Sequence, residues 1–219
     1  MPETSSSRNL FISAFLVGFS GAIVPGPMLA AVIASVPRYG AWAGPWVVLG
    51  HGLAEGVVIA LLAAGLGRWL SRDQVLTAIG LVGGVALIWF GWITLEAART
   101  VTLSKAGDGG GLSISMHPFV AGIVTSVLNP YWLFWWATIG VTYVALGAQR
   151  GVRGLCTFGV GHLLSDAVWF TFVSTALALG RGLIGDDVFR FIVGACGVGL
   201  MLFGLRFAYG GLRRGKARS

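Results

Sequence analysis

Two pairs of side chains are the first candidates for chemistry, because each joins a histidine to a carboxylic acid. His51 and Glu55 are four residues apart, and His162 and Asp166 repeat the same spacing. Residues four apart lie on one face of a helix, so each imidazole is expected beside its carboxylic acid. Imidazole takes up and releases a proton near neutral pH, and together with a carboxylate it can bind a cation or a metal ion. The pairs therefore predict a site for protons or cations.

The composition indicates that both pairs lie in a membrane. Of the 219 residues, 56% are hydrophobic and only 11% are charged, whereas a soluble domain has about 25% charged residues. The 35 glycines are typical of membrane helices, and Gly40-x-x-x-Gly44 and Gly80-x-x-x-Gly84 predict close helix contacts. An ordinary soluble enzyme, a disordered chain and a nucleic-acid-binding domain are excluded despite the net charge of +7. We predict an all-α polytopic membrane protein.

Six apolar segments predict six transmembrane helices, since a helix of about 20 apolar residues crosses a bilayer. The segments fall at 10–36, 41–67, 74–95, 118–146, 154–180 and 188–209. The long polar stretch 99–117 predicts a linker between two three-helix units. The units are 1–98 and 118–210, and a basic C-terminal tail follows at 211–219.

The two units share motifs at matching positions. Phe15-x-x-Gly18 corresponds to Phe119-x-x-Gly122, Gly50-His51-x-Leu53-x-Glu55 to Gly161-His162-x-Leu164-x-Asp166, and Phe90-Gly91 to Phe203-Gly204. The histidine match carries the most weight, since the chain has only three histidines. Copies with three helices each enter the membrane from opposite sides. We therefore expect an inverted repeat with a binding site near the bilayer midplane.

Prolines interrupt the first and the fourth predicted helix. Val24-Pro25-Gly26-Pro27 lies in the first and Asn129-Pro130 in the fourth. Proline removes a backbone donor and clashes with the preceding turn, so both helices are expected to break. The freed carbonyl and amide groups can bind a cation and an anion respectively. Pro25, Gly26, Pro27, Asn129 and Pro130 therefore join the candidate binding site; proline kinks that serve packing alone are the alternative.

Glu55 and Asp166 lie near the middle of predicted helices, where a charged side chain is costly and usually functional. The functional interpretation is a midplane proton or cation site formed by the two acids with His51 and His162. The alternative is that each histidine only hydrogen-bonds its own acid and holds helices together. Duplication at matching depth favours the functional interpretation.

The basic residues predict that both termini are cytoplasmic. Ten of the 15 lysines and arginines fall on the side of the termini, and cytoplasmic loops are enriched in basic residues. The chain has no G-x-x-x-x-G-K-[ST] motif, so transport is expected to be driven by an ion gradient rather than by ATP. We also expect no enzyme activity and no cofactor. The expected partners are the lipid bilayer of the cell membrane, a small-molecule substrate and a coupling ion, without nucleic acid; a homo-oligomer is left open.

These motifs resemble those of a family of membrane exporters. Gly21-x-x-x-Pro25-Gly26-Pro27 followed by Gly40-x-x-x-Gly44-x(5)-Gly50 resembles the signature of the lysine exporter (LysE) family, and Asn129-Pro130 and Asp166 fit the same pattern. The resemblance covers essentially the whole chain. It implies six helices in an inverted repeat and efflux of amino acids or related compounds in exchange for protons. The family usually continues Asn-Pro with lysine, whereas this chain has Tyr131, so a cation for a substrate carboxylate is missing.

Three functions stay open at this point. The main prediction is a proton-coupled amino acid exporter in which Glu55 and Asp166 bind the substrate ammonium group or the proton, and one repeat rocks against the other. The second is a divalent metal exporter with a four-ligand site suited to zinc, formed by His51, Glu55, His162 and Asp166. The third is a membrane scaffold without transport, which predicts that the two acids face no water-accessible cavity.

Overall fold

The structure is a computed structural model that describes residues 7–24, 26–70, 72–100, 116–180 and 185–216. All regular structure in these ranges is helical, without a strand. The prediction of an all-α protein is therefore confirmed for the described part of the chain. Pro25, most of the predicted 99–117 linker and the end of the 211–219 tail lie outside the described residues.

The first half of the chain forms five helices. They are α1 (Ser7–Ala22), α2 (Pro27–Tyr39), α3 (Ala43–Leu61), α4 (Gly67–Leu70) and α5 (Asp73–Ala98). A 3₁₀ turn at Gly40–Trp42 joins α2 to α3, and a π-helical turn at Leu62–Leu66 joins α3 to α4.

The second half forms five further helices. They are α6 (Pro118–Val127), α7 (Pro130–Trp135), α8 (Val141–Ala148), α9 (Gly151–Gly180) and α10 (Asp186–Lys216). A π-helical turn at Trp136–Gly140 joins α7 to α8.

Four helical stretches are long and apolar enough to cross a membrane. They are Pro27–Leu70, Asp73–Ala98, Gly151–Gly180 and Asp186–Arg213. The first has 44 residues, and a straight helix of that length would measure about 66 Å, roughly twice the thickness of a hydrocarbon core. It is not straight, because Gly40 has a φ of 57° and the 3₁₀ turn separates α2 from α3. The chain is a multi-pass membrane protein.

Both proline motifs fall where one helix ends and another begins. α1 ends at Ala22 and α2 begins at Pro27, a position where the missing N–H of proline costs no hydrogen bond. α6 ends at Val127 and α7 begins at Pro130. Asn129 caps α7, because its Oδ1 accepts a hydrogen bond from the backbone N–H of Tyr131 at 3.0 Å.

Glycines let α5 and α10 pack closely along their length. A Cβ added to Gly84 would lie 2.8 Å from the carbonyl oxygen of Gly204, and one added to Gly91 would lie 2.6 Å from that of Gly197. The close contact predicted for Gly80-x-x-x-Gly84 is confirmed, since a Cβ on Gly80 would lie 3.1 Å from Gly211 Cα. In Gly40-x-x-x-Gly44 the prediction is confirmed for Gly44, where a Cβ would collide with the carbonyl oxygen of Phe170, and wrong for Gly40, where a Cβ would have no atom within 4 Å. Gly40 serves the turn through its positive φ instead.

Two other helix contacts position the histidines. α1 packs on α9, and α3 packs on α6. A Cβ on Gly18 of α1 would lie 2.5 Å from His162 Nδ1, and a Cβ on Gly122 of α6 would lie 3.0 Å from the backbone nitrogen of His51. The missing side chains at these two glycines therefore leave space for the helices that carry the histidines.

Candidate functional site

The four ionisable residues meet in the interior. His51 and Glu55 come from α3, His162 and Asp166 come from α9, and each has an exposed fraction between 3% and 5%. Glu55 Oε1 lies 3.1 Å from His51 Nε2 and 2.9 Å from His162 Nε2. His51 Nε2 also lies 3.7 Å from Asp166 Oδ2. The two pairs therefore form one cluster, in which one carboxylate oxygen lies against both imidazoles.

The contacts within the cluster cross between the two pairs. His162 Nε2 contacts Glu55 of α3, and within the described residues no hydrogen bond or ion pair joins His162 to Asp166. The spacing of four residues puts an imidazole and its acid on one helix face, but it does not fix which acid the imidazole contacts. Packing of α3 beside α9 decides this, because it brings Glu55 to the ring of His162.

Ser126, which was not predicted as a site residue, fixes the ring of His51. Its Oγ donates to the carbonyl oxygen of Gly122 at 2.5 Å and lies 2.6 Å from His51 Nδ1. Since the hydroxyl proton is used by Gly122, Ser126 Oγ can accept from His51 Nδ1–H. The contact of His51 Nε2 with Glu55 Oε1 at 3.1 Å needs a second proton, so the ring makes both hydrogen bonds as an imidazolium. One signal could have found Ser126, because it lies four residues after Gly122 and so on the same helix face.

Aromatic rings surround His162. The Trp135 ring stacks on it with centroids 4.4 Å apart and an interplanar angle of 23°. The Phe158 ring also stacks on the His162 ring, with centroids 5.9 Å apart and an interplanar angle of 25°. The Trp136 ring contacts the His162 ring edge-on, with centroids 5.8 Å apart. A cationic ring is favoured over an aromatic face. His162 Nδ1 has no hydrogen-bond partner among the described residues, so its ring is positioned by these rings and by Glu55.

The cluster opens on a cavity of about 70 Å³. That is room for about two water molecules, and it is smaller than the roughly 300–1,000 Å³ of typical ligand pockets. The predicted site residues that line it are Gly26, His51, Glu55, Asn129, His162 and Asp166. Pro27 and Pro130 do not line it but begin α2 and α7 beside it, and Pro25 lies outside the described residues. The structure thus brings six of the nine predicted residues to one cavity.

One oxygen in the cavity wall is unsatisfied. Asp166 Oδ2 has no hydrogen-bond partner among the described residues, although Asp166 is only 5% exposed. Its distance of 3.7 Å from His51 Nε2 exceeds the 2.7–3.2 Å or so of a hydrogen bond. A buried polar atom without a partner is costly. Asp166 therefore offers an open acceptor to anything that enters the cavity.

Three of the four predicted metal ligands are close enough to share an ion. His51, Glu55 and Asp166 each offer one ligand atom, and these atoms lie within 4.8 Å of one another. His162 is not in this group, and its Nε2 is directed at Glu55 Oε1. Nitrogen and carboxylate oxygen ligands suit zinc and similar ions.

Comparisons with known proteins agree with the motifs. Residues 19–211 match the family described as LysE type translocator. The chain is 26% identical over 94% of its length to "Putative amino acid efflux protein YcgF" of Bacillus subtilis (strain 168), 98% of which is covered. It is 25% identical over 78% of its length to "Uncharacterized membrane protein YahN" of Escherichia coli (strain K12), 74% of which is covered. No solved structure matches significantly.

The family match includes the first proline motif, both histidine pairs and Asn129-Pro130. It therefore confirms the resemblance that these motifs indicate, and with it the prediction of an exporter built from membrane-spanning helices. The chain belongs to the LysE-type translocator family.

Proposed function

We propose that the protein is a secondary transporter that exports amino acids or related small molecules across the cytoplasmic membrane in exchange for protons. The observation that carries this proposal is the meeting of His51, Glu55, His162 and Asp166 at one buried cavity. Ionisable side chains inside a membrane protein usually mark a transport pathway. The similarity to a protein named for amino acid efflux supports the substrate class.

We also propose that 1–98 and 118–210 are two inverted repeats of three crossings each. Gly18 packs against the ring of His162, and its counterpart Gly122 packs against the backbone nitrogen of His51, the counterpart of His162. Gly91 and Gly204 correspond in sequence, and the first faces Gly197 while the second faces Gly84. Contacts that recur in this way are what a two-fold axis between the halves would produce.

The cavity suggests how exchange would work. A carboxylate that is paired with a protonated imidazole has less affinity for a substrate ammonium group, so proton and substrate compete for Glu55 and Asp166. The cavity of about 70 Å³ must widen before an amino acid enters or leaves. Gly26 and Asn129, at the starts of α2 and α7, line it, so rocking of one half against the other would open it. Both termini would be cytoplasmic.

The test is amino acid flux in proteoliposomes under an imposed pH gradient. Glu55→Gln and Asp166→Asn keep the side-chain size but remove the charge, and we expect each to lower the gradient-driven flux at least tenfold while the helical circular dichroism is kept. The matched control is Glu96→Gln, an acid of α5 that is paired with Arg99 at 3.2 Å near the helix end. Wild-type flux in both site variants would refute the proposal.

A second candidate is export of a divalent metal ion, which the convergence of His51, Glu55 and Asp166 favours. Metal analysis of the purified protein after incubation with zinc tests it. A metal exporter should bind zinc in stoichiometric amounts and lose it in the His51→Ala and His162→Ala double variant. Flux of amino acids without zinc binding would reject this candidate. The scaffold alternative is disfavoured, because both acids line the cavity.

A further inference from the structure

Building on amino acid export, we propose that the substrate is a small neutral amino acid bound as a zwitterion. Its ammonium group lies at Asp166, and its carboxylate lies between the N-terminus of α2 and the side-chain amide of Asn129. Both ends belong to the wall of the same cavity.

The ammonium end follows from the unequal use of the two acids. Glu55 Oε1 contacts both imidazoles, at 3.1 Å and 2.9 Å. Asp166 Oδ2 has no hydrogen-bond partner among the described residues, although only 5% of the residue is exposed. An ammonium group has three N–H donors and no acceptor. It would satisfy the open oxygen of Asp166 without breaking the contacts of Glu55.

The carboxylate end begins with α2. The first N–H groups of a helix have no partner within the helix, and together with the helix dipole they favour an anion. α2 has 13 residues, and within the described part of the chain no side chain caps its N-terminus. Gly26, Met28 and Leu29 at this end line the cavity with Asp166.

Asn129 adds a second donor on the opposite side. Its Oδ1 is held by the N–H of Tyr131 at 3.0 Å, which fixes the orientation of the side-chain amide. Its Nδ2 faces the start of α2, since a Cβ on Gly26 would lie 4.0 Å from it. Asn129 is 8% exposed. A carboxylate between Asn129 and α2 would therefore accept hydrogen bonds from both.

Neutral donors are required here because the cavity offers no basic side chain other than the two imidazoles. Among the described residues that line it there is no lysine or arginine, and Tyr131 follows Asn129-Pro130. The remaining wall is mainly apolar, with Ala22, Leu29 and Phe170 among its members. After Asp166 is engaged, both carboxylates of the described lining are in use, so no acidic group is left for a cationic substrate side chain. A small apolar side chain matches this wall once the cavity of about 70 Å³ has widened to admit an amino acid.

Gly26 keeps the space for the carboxylate open. Its φ of −152° and ψ of 175° are extended values that other residues adopt. A Cβ there would meet only Val24 O at 3.7 Å and Asn129 Nδ2 at 4.0 Å, which are ordinary contacts. Alanine is therefore compatible with the backbone, yet its methyl group would stand between α2 and Asn129.

The test compares an amino acid with the amine that lacks its carboxylate, using L-valine and isobutylamine. Inhibition of radiolabelled L-valine flux in proteoliposomes gives both affinities. Asn129→Asp keeps an N-cap acceptor for α7 but replaces the amide donor by an anionic oxygen. We expect Asn129→Asp to lower the affinity for L-valine at least tenfold. The affinity for isobutylamine should stay unchanged or increase. Gly26→Ala should also lower the affinity for L-valine without lowering that for isobutylamine. Asp166→Asn should lower the affinity for both compounds.

The control is Gly210→Ala, because a Cβ at this exposed position of α10 has no atom within 4 Å; it should change neither affinity. Thermal shifts with both compounds give a binding readout if a variant no longer transports. Equal weakening of both compounds by Asn129→Asp, or unchanged L-valine affinity in Gly26→Ala, would overturn the orientation alone. Wild-type protein that moves only charged amino acids would overturn the substrate class. Wild-type protein that moves no amino acid would overturn the proposed function itself.

Discussion

At the scale of single residues, the two histidines have unlike surroundings although their motifs match. His51 bonds to Ser126, at the position four residues after Gly122. The position four residues after Gly18 is Ala22, which has no hydroxyl to offer His162. The ring of His162 is held by Trp135 and its aromatic neighbours instead. The two halves therefore contribute unequal groups to one site, which leaves Asp166 open and Glu55 engaged.

Removing the Ser126 hydroxyl tests its role in holding His51. Ser126→Ala leaves the Nδ1–H of His51 buried without an acceptor. The expected loss of stability lies between about 0.6 kcal/mol, the mean for interhelical hydrogen bonds in membranes, and about 3 kcal/mol for an unpaired buried donor. A melting temperature in detergent, which falls by about 2–4 °C per kcal/mol in a protein of this size, measures it.

Ser20→Ala is the control for that variant. The Ser20 hydroxyl donates to the carbonyl oxygen of Val17 on its own helix at 2.7 Å and is exposed, so its loss should change stability by less than about 0.5 kcal/mol. Ser126→Thr keeps a hydroxyl and should preserve flux better than Ser126→Ala. Equal melting temperatures for Ser126→Ala and Ser20→Ala would contradict the role given to Ser126.

The residues of the cluster could be predicted from the sequence because acids are rare inside apolar segments and because their spacing recurs. Predicting Glu55 and Asp166 as site residues needed no structural information. Predicting which residues the two acids contact does need the structure, since the contact between His162 and Glu55 depends on how α9 packs on α3. Ser126 has only a weak sequence signal, its position four residues after Gly122, because a serine in an apolar helix commonly bonds its own backbone, as this one also does with Gly122.

At the scale of the helices, direct backbone contact between α3 and α6 sets the depth of His51. A Cβ on Gly50 would collide with the carbonyl oxygen of Phe119, and a Cβ on Gly122 would collide with that of Val47. Such a contact has no room for a side chain on either helix. The bond between His51 of α3 and Ser126 of α6 depends on this approach.

Alanine at either glycine should separate the two helices. Gly50→Ala and Gly122→Ala are each expected to cost about 1–3 kcal/mol, as overpacking usually does, and to lower flux because His51 moves away from Ser126. Melting temperature and flux are measured together. Gly56→Ala in α3 is the control, since a Cβ there has no atom within 4 Å, and the higher helix propensity of alanine should make it neutral or stabilising. Destabilisation by Gly56→Ala equal to that by Gly50→Ala would contradict this account.

The helix boundaries were predictable where proline and glycine determine them locally. The starts of α2 and α7 at Pro27 and Pro130 follow from the missing N–H of proline. The π-helical turn Trp136–Gly140 could not be predicted, because it depends on long-range packing. A Cβ on Gly140 would collide with the Trp136 ring, and that ring contacts His162 of α9. No local pattern contains this information.

At the scale of the whole molecule, the number of crossings decides whether the halves can be inverted. Length and hydropathy identify four candidate spans, whereas the repeat requires six. The 44 residues of Pro27–Leu70 favour two crossings, since one straight helix would be about 66 Å long. α1 with α2 would form the first crossing, α3 with α4 the second, and α6 with α7 and α8 the fourth, which with α5, α9 and α10 makes six. The interrupted backbone in these regions shortens each continuous helix below the length of a usual span.

The side of the membrane on which α5 ends distinguishes these two arrangements. Six crossings put Thr100 on the side opposite the termini and Gln149 on the same side as the termini, whereas four crossings put both with the termini. Both positions are exposed. We expect an impermeant maleimide added to intact cells to label Thr100→Cys but not Gln149→Cys, in a background where Cys156 and Cys196 are replaced by alanine. After permeabilisation both should react.

Labelling of Gln149→Cys alone would keep six crossings but reverse the orientation inferred from the basic residues. Equal labelling of both in intact cells, or of neither, would exclude the inverted repeat, because the two halves would then enter the membrane from the same side.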